Sequence, residues 1–363
     1  MLAFVLAFVA SFVATFLIIR SSTVHGHLSH DHDEGPQKIH AAPVPRIGGI
    51  GIVVGVVTGL GVLALRQGVS PAFVGLLGAC AAPAFVGGVT EDFTKQVSAS
   101  RRLLITAFSA FLGAWLLDGV IRRTGLAWLD THLAQSWGLG CLLAVFAICG
   151  VTNSVNIIDG FNGLSSMCVT IMLTAIGFVA FEVGDYTLVA CCAACAGAVL
   201  GFFAWNFPAG LIFLGDGGAY FIGFVLAELG VQLIGRNAAV SPMFPLLVCI
   251  YPVFETVFSI YRRRFIRKVS PGVPDGVHLH HLVFKRMMRW TVGREDAKLL
   301  TRRNSMTSPY LWALCLFSVF PAVLFWDETL PLVLCIVGFG VLYSYLYWRI
   351  VRFRAPRWLT RKP

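Results

Sequence analysis

The sequence predicts an all-α polytopic membrane protein, with about eleven transmembrane helices in a single domain spanning residues 1–363. Of its residues, 57% are hydrophobic and only 13% are charged, and the mean hydropathy is +0.78. Apolar stretches of roughly 17–25 residues recur along the chain, each long enough to cross about 30 Å of hydrocarbon as a helix. They lie near residues 1–20, 47–65, 71–89, 103–120, 138–155, 164–181, 187–205, 216–235, 241–260, 309–326 and 330–348.

The first stretch lacks the basic N-terminal region and the clear small-residue cleavage site of a signal peptide, so we interpret it as a retained span. With the N-terminus outside, most of the 28 Lys and Arg residues fall on the cytoplasmic side, as the positive-inside rule requires. The C-terminus is then cytoplasmic, and the cytoplasmic loops are about 21–46, 90–102, 152–165, 206–216 and 261–308.

Two features of the composition exclude other classes. A pI of about 9.3 could indicate a nucleic-acid partner, but membrane topology accounts for the basic residues, and we expect no nucleic acid. The ten cysteines lie mostly in apolar stretches, which is typical of small core residues rather than of disulfides or a zinc site.

One carboxylate, Asp216, stands among glycines where an apolar stretch should begin. A carboxylate at the mouth of a membrane helix is costly, and the glycines around it allow a ligand or another backbone to approach closely. The pattern therefore predicts metal or phosphate binding. The alternative is a helix N-cap, a common role for Asp that stabilises by about 1 kcal/mol.

Two further acidic clusters fall at span ends on the same predicted side. Glu91 and Asp92 are adjacent carboxylates, which repel each other and so favour a divalent cation or a shared proton. As an isolated pair they would more often be surface charges. Asn156 and Asp159 are three residues apart, so a helical turn would project both from one side.

Histidines are concentrated in two predicted cytoplasmic loops. His278, His280 and His281 lie within four residues, and they could be metal ligands or donors to a diphosphate. Residues 25–33 form a second His- and Asp-rich tract. Such tracts can bind zinc or nickel, but this one has no fixed tetrahedral spacing, and we interpret it as a flexible appendage.

Five motifs, taken in their order along the chain, resemble those of the polyprenyl-phosphate N-acetylhexosamine-1-phosphate transferases of glycosyltransferase family 4. The resemblance is strongest to the undecaprenyl-phosphate N-acetylglucosaminyl 1-phosphate transferase branch and covers nearly the whole chain. Its motifs are Gly-Pro-x-Lys-x-His…Pro-x-Pro-Arg-x-Gly-Gly at 35–49, the acidic pair at 91–92, Asn-x-x-Asp-Gly-x-x-Gly-Leu at 156–164, Phe-x-Gly-Asp at 213–216 and Pro-Asp-x-x-His-x-His-His-Leu at 274–282.

The resemblance implies an enzyme of the bacterial inner membrane that transfers an N-acetylhexosamine 1-phosphate from a UDP-sugar to undecaprenyl phosphate. The reaction releases UMP and starts a lipid-linked glycan. It implies Mg²⁺, with Mn²⁺ as a substitute, held by Asp216 with help from Asp159 and Glu91. Asp92 is the family's candidate for activating the lipid phosphate. That phosphate is already largely ionised at neutral pH, so we favour positioning or metal contact for Asp92.

The remaining residues implied by the resemblance contact the substrates. Those expected to stabilise phosphate oxygens are Lys38, Arg46, His278, His280 and His281. Those expected at the uracil or near it are Asn156, Asn206 and Phe213. The membrane supplies the lipid substrate, and a homodimer is a further expectation.

Two positions depart from the family pattern, which has Asp-Asp where this chain has Glu91-Asp92 and a second Asp where it has Asn162. Glutamate keeps the negative charge, whereas asparagine removes it but keeps a side-chain amide that can form hydrogen bonds. We therefore expect metal binding to be retained with Glu91, and Asn162 to affect sugar-nucleotide selectivity. Two other functions stay open: a metal-ion transporter with a His-rich loop, and a catalytically silent relative that binds lipid phosphate.

Overall fold

The computed structural model describes residues 1–22, 44–66, 68–268, 276–288 and 297–352, and within these ranges the regular structure is helical. Two π-helical segments, Arg262–Arg267 and Val283–Met288, directly follow the short helices Ile250–Tyr261 and Leu279–Leu282. The α-helices are α1 (Leu2–Arg20), α2 (Gly48–Leu65), α3 (Pro71–Thr94), α4 (Ala99–Leu116), α5 (Ala127–Gln135), α6 (Trp137–Ile158), α7 (Leu164–Glu182), α8 (Tyr186–Asn206), α9 (Gly215–Arg236), α10 (Met243–Val248), α11 (Ile250–Tyr261), α12 (Leu279–Leu282), α13 (Ala297–Leu324) and α14 (Thr329–Val351).

In the part of the chain that the structure describes, nine helices are long and apolar enough to cross a membrane: α1, α2, α3, α6, α7, α8, α9, α13 and α14. This confirms the prediction of an all-helical, multi-pass membrane protein. The predicted number of eleven spans is not confirmed, and the orientation of the termini stays a prediction.

The two predicted spans outside this set are 103–120 and 241–260. The first corresponds to α4, which carries Arg101 and Arg102 in its first turn and ends at Leu116. The second is divided into two short helices at Cys249. Pro252 explains this division, because it has no N–H to donate to the carbonyl four residues earlier and its ring crowds that carbonyl.

Helix α9 is the centre of the fold. Every residue from Gly215 to Ile234 is buried, and α9 contacts α2, α3, α4, α6, α7 and α8. A helix that is hydrophobic on all sides is expected at the core of a bundle. By contrast, α1 and α14 bury only a minor part of their surface, which fits helices that face lipid.

The start of α9 is surrounded by backbone rather than by side chains. Gly215 has φ +76°, and a Cβ there would lie 1.9 Å from the carbonyl oxygen of Arg46. A Cβ on Gly88 of α3 would lie 2.6 Å from the Cα atom of Gly217. Because only glycine permits both this dihedral angle and this approach, α2 and α3 meet α9 closely at its first turn.

The other end of α9 is capped by Arg123, which lies in the segment between α4 and α5. Its guanidinium donates to the carbonyl oxygens of Ile234, Asn237, Ala238 and Val240 at 2.8–3.3 Å. The last carbonyls of a helix lack partners within the helix, and a cation there interacts favourably with the helix dipole. One side chain therefore satisfies several backbone acceptors at the end of the central helix.

We expect Arg123→Ala to lower the thermal unfolding temperature of the detergent-solubilised protein, because charge-assisted hydrogen bonds contribute about 1.5–3 kcal/mol. The matched control is Arg122→Ala. Arg122 pairs with Asp118 four residues earlier, both side chains being well exposed, and such pairs contribute about 0–1 kcal/mol. Equal unfolding temperatures for the two variants would contradict the capping role.

Candidate functional site

The first turn of α9 is capped by a carboxylate from another helix. Leu214 precedes α9 and offers no capping side chain. Asp92, near the end of α3, instead accepts hydrogen bonds from the backbone N–H groups of Asp216 (2.8 Å) and Gly217 (2.9 Å), one on each carboxylate oxygen. Asp92 is only 4% exposed. A negative charge is favourable here, because the first N–H groups of a helix lack partners and carry partial positive charge.

The Asp216 side chain does not cap its own helix, so that alternative interpretation is wrong. Its carboxylate forms an ion pair with the guanidinium of Arg102 and accepts a hydrogen bond of 2.9 Å from the amide of Asn156. Asp216 is 8% exposed. A carboxylate this buried requires charge-assisted partners, and α4 and α6 supply them.

Glu91 and Asp92 are adjacent but engage different segments. While Asp92 contacts α9, Glu91 accepts a hydrogen bond of 2.6 Å from the backbone N–H of Val97, just beyond the end of α3. Glu91 is also less buried than Asp92. The two carboxylates therefore do not share one hydrogen-bond partner.

The end of α6 brings in Asp159. It is the residue at which α6 ends, and it accepts a hydrogen bond from the hydroxyl of Ser165 on α7. Burial raises the pKa of Asp159 to about 6, although the Ser165 hydrogen bond and the charge of Arg46 lower it. Asp159 is thus a carboxylate whose charge the fold only partly stabilises.

The three histidines lie beside the turn that follows α6. The rings of His280 and His281 are 5.6 and 5.5 Å from the ring of Phe161, in edge-on arrangements, and 4.5 Å from each other. Burial lowers the pKa of His280 well below its ordinary value, and the neighbouring His281 and His278 lower it further. The cluster is therefore packed against the loop that carries Asp159.

The structure thus brings most of the predicted site residues to one region with two parts. The acidic part, at the start of α9, contains Asp92, Asp216 and Asn156. The histidine part contains the residues of α12 and Phe161. The charge of Arg46 acts on both Asp92 and Asp159.

Two other predicted site residues, Asn206 and Asn162, make structural contacts with neighbouring loops. Asn206 accepts from the N–H of Gly163 (2.6 Å) and donates to the carbonyl of Ile212 (2.7 Å). Asn162 is 1% exposed, and its amide donates to the carbonyl of Pro208 and to Ser305, at 3.3 Å in each case. Their substrate-binding roles stay predictions.

Phe213 is half-buried, and its backbone pairs with the segment before α2. Its N–H donates to the carbonyl of Pro45 (2.8 Å), and its carbonyl accepts from Gly48 (3.0 Å). This pairing carries Arg46 to the start of α9. Lys38 and the tract at 25–33 lie outside the described residues.

Sequence reasoning missed two residues of this region. Arg102 is not among the predicted site residues, yet it contacts Asp216 directly. Glu255 is not among them either, yet its carboxylate accepts a hydrogen bond from the backbone N–H of Leu279 at 2.6 Å. A basic residue that follows an acidic pair so closely was a usable signal for the first, whereas the local sequence offered none for the second.

The carboxylate oxygens of the site suit a hard divalent cation. Over the described ranges, no three His, Cys, Asp or Glu side chains converge closely enough to hold a metal ion. Mg²⁺ needs no such cage, because it commonly binds through one or two carboxylates together with substrate phosphates and water. Asp216 and Asp159 are carboxylates with lone pairs beyond their present hydrogen bonds, so the residues fit the ion. All ten cysteines are free.

These features define a multi-pass helical membrane protein with an acidic and histidine-bearing site where α3, α6 and α9 meet. The model of glycosyl transferase family 4 matches residues 74–234. A probable undecaprenyl-phosphate N-acetylglucosaminyl 1-phosphate transferase of Bacillus subtilis is 30% identical over 68% of this chain and 67% of its own length. The chain belongs to glycosyl transferase family 4.

Two further relatives are more distant. An undecaprenyl-phosphate alpha-N-acetylglucosaminyl 1-phosphate transferase of Escherichia coli K12 is 26% identical over 90% of this chain and 87% of its own length. A phospho-N-acetylmuramoyl-pentapeptide-transferase of Rubrobacter xylanophilus is 29% identical over 71% of this chain and 79% of its own length. The predicted family is therefore confirmed.

We expect Asp159→Asn to stabilise the protein at pH 7.5 and to leave its stability unchanged near pH 4. The pKa of Asp159 rises from 3.8 to about 6 on folding, so the folded state holds its proton more tightly, and stability falls as the pH rises through this window. Asparagine removes that cost and still accepts from Ser165.

The measurement is the thermal unfolding temperature of both proteins at the two pH values. Asp130→Asn is the control, because the Asp130 carboxylate accepts from Thr124 and Gly125, and its neutralisation should not stabilise the fold. A variant Asp159→Asn that unfolds at or below the wild-type temperature at pH 7.5 would contradict the burial cost.

Proposed function

We propose that this protein transfers an N-acetylhexosamine 1-phosphate from a UDP-sugar to undecaprenyl phosphate, with release of UMP. The observation that carries the proposal is the meeting of Asp92, Asp216, Asn156 and the Asp159 loop, with the histidine cluster beside them. Family membership supports it, since relatives named for this reaction align with most of the chain. The product would start a lipid-linked cell-surface glycan.

The reaction requires positioning and charge neutralisation more than covalent chemistry. A phosphate monoester has a second pKa near 6, so the lipid phosphate is already largely ionised and gains little from a general base. The contacts of Asp92 agree with this, because both of its oxygens are engaged by backbone N–H groups of α9. We assign to Asp92 the positioning of Asp216 and of the α9 N-terminus.

Asp216 and Asp159 are the residues that would hold Mg²⁺, or Mn²⁺ in its place. The ion would supply neutralisation of charge on the diphosphate. Asn156 orients the Asp216 carboxylate through its hydrogen bond. Glu91 adds negative charge next to this group, and its direct contact with the cation stays a prediction.

Cationic and neutral donors surround the carboxylates. Arg102 lies against Asp216, and a guanidinium in this position can donate to phosphate oxygens in a forked geometry. Arg46 and the histidines of α12 would stabilise charge on the other side, where donors aimed at developing negative charge lower the barrier. Uracil would lie near Asn206 and Phe213.

Localisation in the bacterial inner membrane, with the site facing the cytoplasm, belongs to the same proposal. It rests on the distribution of Lys and Arg and on the need for a cytoplasmic sugar nucleotide. O-antigen, capsule and other glycans are all compatible with the site, and a homodimer stays a prediction. The metal-ion transporter is not favoured, because the polar groups meet at helix ends rather than along a path through the membrane.

The test is UMP release by the purified protein with undecaprenyl phosphate, Mg²⁺ and a panel of UDP-N-acetyl sugars. We expect release with at least one donor, and its loss when the metal is chelated. Asp216→Asn should lower the rate of UMP release by about tenfold to a hundredfold, because a lost charge-assisted contact costs about 1.5–3 kcal/mol.

Asp118→Asn is the control, since this exposed carboxylate pairs with Arg122 just beyond α4 and should keep the wild-type rate. A folded Asp216→Asn protein with unchanged turnover would disprove the metal assignment. If the wild type releases no UMP with any donor, it is a silent relative and the proposed activity is wrong.

A further inference from the structure

The buried carboxylate of Glu255 holds the loop that carries the histidines. Glu255 lies on α11 and is 1% exposed. Its Oε1 atom accepts the backbone N–H of Leu279 at 2.6 Å, at the point where α12 begins. A charged group in so buried a position is costly without compensating partners, so its environment should explain why a glutamate is here.

The same oxygen atom faces two of the histidine rings. It lies 3.4 Å from Nδ1 of His278 and 3.6 Å from Nδ1 of His280. The two rings are parallel within 5°, with centroids 5.1 Å apart. One carboxylate oxygen therefore interacts with the loop backbone and with two imidazoles.

The opposite edge of His280 faces the turn after α6. A Cβ built on Gly160 would lie 3.8 Å from Nε2 of His280, and Gly160 directly follows Asp159. The imidazole thus lies between Glu255 on one side and the Asp159–Gly160 turn on the other. Phe161 packs edge-on against the same ring and restricts its rotation.

We propose that Glu255 is a positioning residue for the transfer reaction: it anchors the start of α12 through Leu279 and fixes the orientation of the His278 and His280 rings, with the Nε2 edge of His280 against the Asp159–Gly160 turn. The negative charge of Glu255 beside Nδ1 favours the tautomer that carries a proton on that atom. It also raises the basicity of the imidazole at Nε2, as carboxylate–histidine pairs do beside metals. The proposal rests on the proposed function for the reaction that the rings serve.

Two substitutions separate anchoring from charge. Glu255→Gln keeps an oxygen acceptor for Leu279 but removes the charge that faces the imidazoles, whereas Glu255→Ala removes both. The control is Glu228→Gln. Glu228 is the fully buried glutamate of α9 and accepts from Gln232 at 2.9 Å, in a part of α9 that contacts Gly113 and Gly119 and contributes no residue to the site.

We expect Glu255→Gln to fold normally and to lower kcat for UMP release by about tenfold to a hundredfold, the loss of one charge-assisted contact, with KM for the UDP-sugar changed less than about threefold. Glu228→Gln should keep the wild-type kcat. A kcat for folded Glu255→Gln within about twofold of the wild type would overturn the orienting role.

Hydrogen–deuterium exchange of the peptide spanning residues 276–284 tests the anchoring role by a measurement that does not depend on enzyme activity. We expect Glu255→Ala to increase exchange at the Leu279 amide, and Glu255→Gln to leave it nearly unchanged. Unchanged exchange in Glu255→Ala would overturn the anchoring role. If exchange rises as expected but the wild type releases no UMP, the anchoring stands and the proposed function fails, so the two failures are distinguishable.

Discussion

The contact between the Asp92 carboxylate and the start of α9 is the constraint on which the site depends. Helix α9 is buried along almost its whole length, so its first N–H groups cannot bond to bulk water, and Leu214 offers no capping atom. Buried donors without partners cost about 1–3 kcal/mol each. The partner therefore comes from α3, and this requirement fixes α3 and α9 relative to each other at the end where the polar residues lie.

This cap also determines where Asp216 points. Because its backbone N–H is bound to Asp92, the Asp216 side chain leaves the first turn toward α4 and α6, where Arg102 and Asn156 meet it. The close approach of backbones at Gly88 and Gly217 leaves no room for a different arrangement. A substitution at Asp92 therefore disturbs the cap and the Asp216 carboxylate together, and a loss of activity there does not by itself identify a general base.

Much of the site could be predicted from the sequence, because residues at the ends of apolar spans must gather at one of two membrane faces. That reasoning correctly grouped Asp92, Asp216 and the end of α6. It could not find their partners: Asp92 and Asp216 are 124 residues apart in sequence, and Arg102 and Asp216 are 114 apart, so no local periodicity links them. The division of the 241–260 stretch was missed for a different reason, since hydropathy counts Pro252 as one residue among many and ignores the carbonyl that its ring displaces.

The end of α6 joins the two parts of the site. Asn156, on its last turn, bonds to Asp216 in the acidic part, while the Asp159–Gly160 turn that follows contacts His280 in the histidine part. The short stretch from Asn156 to Gly160, which is the last turn of α6 and the turn that follows it, sets the spacing between the carboxylates and the imidazoles. Ser165 holds this turn from the side of α7, and Glu255 holds the histidines from the side of α11. The spacing between the carboxylates and the imidazoles is therefore set by contacts with α6, α7 and α11.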